Sequence, residues 1–147
     1  GNVSEQIKNL TKEIEYITSN KNGDIFKISA KYGKTNIENS NILDLEKVEG
    51  IISSKNRSEI FITSNYAEYN YDNQNSKFHR NVELKYDNKI ITCNNLDLII
   101  SDNIAVAYEN VVVEDENSIM KAQMITFDII TKDIVINSDK KIKLITN

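Results

Sequence analysis

The sequence has no proline and no tryptophan, and it contains only one cysteine, one histidine and four isolated glycines. A single cysteine, Cys93, excludes an internal disulfide, and one cysteine with one histidine is too few for a structural zinc site. No glycine-rich phosphate loop is present, and His79 has no nucleophile or acid beside it in a recognisable motif. These absences argue against an enzyme, and we expect no catalytic residue, metal ligand or cofactor.

Charge and hydropathy argue against two further classes of protein. The formal net charge is −4, and Arg57 and Arg80 are the only arginines, whereas a nucleic-acid surface needs a basic cluster. We therefore expect no nucleic-acid partner. No apolar run approaches the roughly 20 residues of a membrane-spanning helix. The chain opens on Gly1, and we expect residues 1–12 to be a linker after a removed N-terminal anchor, with the folded domain at 13–147.

The most informative feature is a repeated pattern of short strand-like runs. The run at 62–69 is followed by similar runs at 91–98 and 120–127, each 29 residues after the previous one. The pair Asn81-Val82 recurs at the same interval as Asn110-Val111. A looser copy begins at Asp24, where DIFKISAKYG aligns with EIFITSNYAE. A fixed period of a few tens of residues is typical of a stacked or coiled repeat, built here of strand and turn alone.

Apolar and polar residues alternate within each run, as they do in a strand that buries one face. Turn residues recur about every eight to twelve positions, and Asn22-Gly23 is the strongest hairpin signal among them. Within 42–52, Gly50 is predicted to form a bulge or bend. The pattern predicts an all-β fold, a twisted β-jellyroll of more than about a dozen short antiparallel strands around one apolar interior.

The inward row of these runs mixes small residues, such as Ala30 and Ala122, with large apolar ones. A solid sandwich core is the simpler interpretation of this pattern. The alternative is a groove for acyl chains, because small side chains between sheets about 10 Å apart leave volume to fill. The groove interpretation predicts a lipid-binding set: Phe26, Ile28, Ala30, Ile62, Ser64, Tyr69, Val82, Leu84, Ile91, Cys93, Leu98, Val111, Met120 and Phe127.

A series of short motifs runs in fixed order from Ile14 to Leu144. In that order and spacing the chain resembles the LptC family, the component of lipopolysaccharide export that is anchored in the inner membrane of Gram-negative cells. The motifs are Tyr16 with Asn22-Gly23, Phe26-x-Ile28-x-Ala30, Leu45-x-x-Val48-x-Gly50, Ile60-x-Ile62-x-Ser64 with Ala67-x-Tyr69, Phe78-x-x-Asn81-Val82, the run Ile91 to Leu98, and Asn110-Val111.

The resemblance implies a twisted β-jellyroll with a hydrophobic groove open at its ends, a periplasmic location and an N-terminal helix that anchors the protein to the inner membrane. It implies no catalysis. The implied ligand is lipopolysaccharide, received from an inner-membrane ABC transporter complex at the N-terminal edge of the sheet. A soluble periplasmic bridge protein would dock at the C-terminal edge, since exposed sheet edges pair readily with further strands.

Three alternatives stay open. The soluble bridge protein of the same pathway shares the implied fold. A structural or adhesive β-solenoid with a solid core is the alternative from another class, and a carbohydrate-active enzyme on a jelly-roll scaffold is a third.

Overall fold

The computed structural model describes residues 11–137, which are almost entirely β-strand and turn. Consecutive strands pair antiparallel in one sheet whose order is that of the sequence, so β1 and β9 are its edge strands within the described residues. This confirms the predicted all-β fold. The strands are β1 (Thr11–Ser19), β2 (Ile25–Thr35), β3 (Ile42–Ser53), β4 (Ile60–Asn70), β5 (Ser76–Tyr86), β6 (Lys89–Ile99), β7 (Ile104–Glu114), β8 (Ile119–Asp128) and β9 (Ile134–Asn137).

The strands are fewer and longer than the sequence pattern predicts. In β4, for example, Ile60, Ile62 and Ser64 are buried, and the buried positions then shift by one residue to Ala67 and Tyr69. When the alternation of apolar and polar residues is judged from the sequence alone, such a shift is interpreted as the end of a strand. In the structure the strand continues through the shift, so two predicted short strands form one long bent strand.

The shifts lie on a single line across the sheet, which we call the seam. Backbone φ is positive at this line in each odd-numbered strand from β1 to β7, and the sheet register places the remaining seam residues between these strands. Every seam residue is exposed. The seam comprises Glu13, Lys31, Lys47, Asn65, Arg80, Asn81, Asn94, Glu109, Asn110 and Gln123.

At the seam the sheet folds over on itself into two facing layers. Layer A contains residues 14–19, 25–30, 48–53, 60–64, 82–86, 89–93, 111–114 and 119–122. Layer B contains residues 32–35, 42–46, 66–70, 76–79, 95–99, 104–108, 124–128 and 134–137. The inward side chains of both layers form one apolar core. The rim opposite the seam, where the hairpin turns of the two layers meet, is called the mouth below.

Two strands carry an extra residue at the seam. The register shifts in β5 at Arg80-Asn81 and in β7 at Glu109-Asn110. At each site both residues of the pair are left-handed, with φ between 52° and 71°. A strand that gains one residue bends and twists more sharply. The recurrent Asn-Val pair of the sequence is therefore the mark of a repeated β-bulge.

The predicted bulge at Gly50 is wrong. Gly50 pairs in regular register with Ile28 on one side and Ile62 on the other. A Cβ at this position would lie 3.2 Å from the ring of Phe26 and 3.4 Å from the ring of Phe78. The glycine is there because two buried aromatic rings cross its backbone, not because the strand bends.

The alignment of DIFKISAKYG with EIFITSNYAE is off by one residue. It matches Phe26 with Phe61, but Phe26 is fully buried and Phe61 is 44% exposed. The counterpart of Phe26 is Ile60, because each stands five residues before its seam residue. The predicted turn at Asn22-Gly23 is confirmed: Gly23 has a φ of 84°, and its N–H donates to the Asn20 carbonyl at 3.1 Å. The predicted linker at 1–12 lies mostly outside the described residues.

Candidate functional site

The interior between the two layers collects the side chains that the sequence assigned to a groove. All of them face inward, and all are buried except Met120, which is partly exposed and packs against the core. Many are sealed from solvent, Phe26, Ile28 and Ile62 having no exposed surface at all. The interior of this structure is therefore closely packed, and a ligand between the layers requires the layers to separate.

The small inward residues are located at the narrow end of this interior. Ala30, Ser64, Cys93 and Ala122 each come directly before a seam residue, where the two layers converge. Small side chains suit this narrow space, so their size does not by itself indicate room for a ligand. The Ser64 hydroxyl also donates to the Tyr66 carbonyl across the seam at 2.8 Å, which ties the two halves of β4 together.

Several interior residues were not among the predicted set. Phe78 and Tyr86 are buried, and the Tyr86 ring packs against Phe127 with centroids 5.1 Å apart. The sequence signal for such residues is the one-residue shift in the alternation of apolar and polar positions at the seam. Once that shift is taken into account, the apolar residues of both halves of a strand are predicted to face one interior. Ala67, Leu96 and Ile125 belong to the inward row that the sequence predicts, although they are not in the lipid-binding set. The other buried apolar residues outside the set are Leu43, Leu45, Val48, Ile52, Ile60, Ile100, Ala105, Ala107, Val113 and Ile129.

A cluster of three tyrosines closes one part of the mouth. Tyr16 of layer A stacks on Tyr69 of layer B with ring centroids 5.1 Å apart, and Tyr71 meets both rings edge-on. The Tyr16 and Tyr71 hydroxyls are 2.9 Å apart, and the Tyr69 hydroxyl is 3.2 Å from Thr18 Oγ1. Partial burial, together with the hydrogen bond to Tyr16, raises the pKa of Tyr71 to about 12. Tyr71 therefore stays neutral at physiological pH.

Two further hydrogen bonds join the layers at the mouth. The side-chain amide of Asn20, the residue after β1, donates to Oδ1 of Asn103 at 2.6 Å. Asn103 lies in the connection that follows β6. The Tyr86 hydroxyl donates to the Lys132 carbonyl at 3.3 Å. With the tyrosine cluster, these contacts fasten a rim that the sheet pairing leaves open, because each strand of the described residues pairs only with its sequence neighbours and no ladder joins layer A to layer B at the mouth.

Outside the interior, a cleft of about 950 Å³ lies on the outer face of layer B. Tyr32, Tyr66 and His79 line it together with carboxylates such as Glu46 and Glu68. His79 stacks on Tyr66 with centroids 5.5 Å apart, so the histidine is an exposed partner of an aromatic ring. Within residues 11–137, no group of histidine, cysteine and acidic side chains is arranged to hold a metal ion.

The single cysteine lies on the inner face of β6 and is 6% exposed. Burial raises the pKa of the Cys93 thiol to about 12, despite the opposing hydrogen bond from the Asn95 backbone. A thiol acts as a nucleophile only as the thiolate. At neutral pH the Cys93 thiol is therefore protonated, and the residue is a small buried side chain and not a nucleophile.

Comparison with known proteins agrees with this architecture. A family model described as "Lipopolysaccharide-assembly, LptC-related" matches residues 3–143, nearly the whole chain. A search of the curated proteins finds no match. Within the described part of the chain, no helix is long and apolar enough to span a membrane. From the extent of the match, the chain belongs to the LptC-related family of lipopolysaccharide assembly, whose members take part in lipopolysaccharide transport.

Proposed function

We propose that this chain is a non-catalytic bridge component that carries lipopolysaccharide from an inner-membrane ABC transporter toward the outer membrane, with acyl chains held between layers A and B. The observation that carries the proposal is the continuous apolar interior that spans the sheet from β1 to β9. This interior extends from one edge strand to the other, so an acyl chain that enters at one edge can pass to the other edge without leaving apolar surroundings.

The energetics of the interior are compatible with this role. Separating the layers exposes apolar side chains that are closely packed, which costs free energy. An acyl chain returns about 0.8 kcal/mol per buried CH₂, so about ten methylenes supply about 8 kcal/mol. The side-chain hydrogen bonds at the mouth are few, and each contributes only about 0.5–1.5 kcal/mol net. Acyl-chain contacts would therefore offset part of the cost of separating the layers.

The two edges of the sheet support the partners in the proposal. Among residues 11–137, strands β1 and β9 each leave one row of backbone groups without a neighbouring strand. Such rows accept an added strand from another protein. We assign the β1 edge to the membrane transporter complex and the C-terminal edge to the soluble bridge protein. We place the domain in the periplasm, anchored to the inner membrane by an N-terminal helix.

Site-specific photo-crosslinking tests the interior. A photoreactive residue at the buried Ile62 or Ile91 should capture lipopolysaccharide, whereas one at the outward Thr63 or Thr92 should not. Ser64→Phe should reduce capture by filling the narrow end of the interior. Equal capture by inward and outward probes, or capture by neither, would contradict the proposal and favour a structural β-solenoid with a solid core.

A further inference from the structure

Ser76, the first residue of β5, carries a buried hydroxyl whose hydrogen-bonding capacity is not used within the described fold. It is 1% exposed, and its Oγ has no hydrogen-bond partner among the residues that the structure describes. Buried polar groups are nearly always hydrogen-bonded, because burying one without a partner is unfavourable. An unpartnered hydroxyl in an apolar interior therefore indicates a partner that is not part of the folded chain itself.

The other buried polar side chains show what is unusual about Ser76. Thr18, Asp24 and Ser64 each have a partner within the fold, provided by the tyrosine cluster, by a neighbouring turn or by the seam. Ser54 Oγ also lacks a partner, but Ser54 is partly exposed and lies in the turn after β3, beyond the end of the strand. Thr18 Oγ1 is 3.2 Å from the Tyr69 hydroxyl, Asp24 Oδ2 accepts from the Asn20 amide at 3.1 Å, and Ser64 Oγ donates to the Tyr66 carbonyl at 2.8 Å.

The location of Ser76 is the inner side of the mouth. Its strand neighbours are Tyr69 in β4 and Leu98 in β6, and all three face the interior. Tyr69 belongs to the tyrosine cluster that closes the rim. Two residues further along β5, Phe78 lies deeper between the layers and is 1% exposed. Ser76 therefore stands where the polar rim changes to the apolar interior.

We propose that the Ser76 hydroxyl donates a hydrogen bond to the ester or amide carbonyl of an acyl chain held between the layers. This inference rests on the proposed function and adds an orientation to it. The methylenes extend past Phe78 toward the seam, the carbonyl lies at Ser76, and the headgroup lies outside the mouth. A carbonyl oxygen is an acceptor without a proton of its own, so it complements a hydroxyl whose donor is unused.

A matched pair of lipids tests this subsite. Dioctanoyl phosphocholine carries two ester carbonyls, and its ether analogue, dioctyl phosphocholine, has the same headgroup without these carbonyls. Binding of each is measured by calorimetry below its micelle concentration. The wild type should bind the ester about 3–10-fold more tightly, which corresponds to one net hydrogen bond. Ser76→Ala should bind both lipids with the affinity that the wild type has for the ether.

Two controls separate the subsite from general effects. Ser118→Ala removes a hydroxyl that already has a partner, Asp115 Oδ1 at 3.0 Å in the turn between β7 and β8, so it should keep the preference for the ester. Ser76→Ala should melt no lower than the wild type, because it removes an unpartnered polar group. Equal affinity of the wild type for both lipids, failure of both to bind, or a preference that survives in Ser76→Ala overturns the subsite. The proposed function is judged separately, by capture of lipopolysaccharide at Ile62.

Discussion

Asn81 and Asn110, 29 residues apart in the chain, hold the same left-handed backbone conformation at the seam, with φ values of 52° and 55°. Each follows a second left-handed residue, and each is followed by a buried valine. The two bulges of the folded sheet therefore recur with the 29-residue period of the sequence repeat. Asparagine suits these positions because it tolerates a positive φ better than most residues.

Replacing either asparagine with valine should destabilise the protein, since a β-branched residue is strained at positive φ. We expect Asn81→Val and Asn110→Val each to lower the free energy of unfolding by about 1–2 kcal/mol. Asn81→Gly and Asn110→Gly should leave it unchanged or raise it slightly. Urea unfolding curves followed by circular dichroism measure these differences.

Asn94 provides the matched control for this pair. It is also an exposed seam asparagine, but its φ is not positive. Asn94→Val should therefore change the free energy of unfolding by less than about 0.5 kcal/mol, as a surface substitution normally does. If all three valine variants lose equal stability, the left-handed conformation is not the cause and the bulge account is wrong.

The sequence allowed the inward face of each strand to be predicted well. Alternation alone placed Ile62, Ile91 and Phe127 on the interior side, because side-chain direction in a strand has a period of two residues. It did not show that 60–64 and 67–69 belong to one strand. The bend between them depends on backbone conformation at Asn65 and its neighbours across the sheet, and no local pattern records that dependence.

The contacts at the mouth were not predictable from the sequence. Tyr16 and Tyr71 are 55 residues apart, and Asn20 and Asn103 are 83 apart. They meet because the folded layers bring distant turns together, and tyrosine or asparagine in a turn has many other uses. The unpartnered hydroxyl of Ser76 was equally invisible, since only the folded structure shows which polar atoms are left without a partner.

Gly50→Ala should overpack the interior. The added Cβ would lie 3.2 Å from the Phe26 ring, 3.4 Å from the Phe78 ring and 3.5 Å from Ile62. Both rings are buried, so neither can move aside freely, and overpacking of this kind typically costs about 1–3 kcal/mol. Urea unfolding measures the loss. The double variant Gly50→Ala with Phe26→Leu should lose less stability than the sum of the two single changes, because Phe26 makes the tightest of these contacts, and simple additivity would contradict it.

Cys93 should give the stability a specific alkaline dependence. The pKa of its thiol is about 12 in the folded protein and 9.0 ordinarily. Above pH 9 the unfolded chain loses this proton while the folded protein keeps it. The contribution is thus fully present below pH 9 and is lost as pH rises toward 12, at no more than about 1.4 kcal/mol per pH unit.

Cys93→Ala isolates that contribution from the tyrosines, which also titrate in this range. The difference in unfolding free energy between the wild type and Cys93→Ala should shrink between pH 9 and 11. The wild-type thiol should also react slowly with a thiol-specific reagent at pH 8 until the protein is unfolded. A constant difference across this pH range, or rapid modification of the folded protein, would contradict the burial of Cys93.

The last prediction concerns the opening of the mouth. Asn20 and Asn103 touch across it, from opposite layers. In a Cys93→Ala background, Asn20→Cys and Asn103→Cys joined by a short bis-methanethiosulfonate linker should hold the layers together. Capture of lipopolysaccharide by a photoreactive residue at Ile62 should then fall at least several-fold. Reduction of the linker should restore it, because the layers can separate again.

A linker within one layer is the control for this experiment. Ser29 and Glu49 are paired neighbours in layer A, so Ser29→Cys and Glu49→Cys can be linked without joining the layers. This second linked protein should capture lipopolysaccharide as well as its reduced form does. If the linker across the mouth leaves capture unchanged, acyl chains reach the interior from the edges of the sheet alone, and separation of the layers at the mouth is not part of transport. If both linked proteins lose capture equally, stiffening of the sheet is the cause instead.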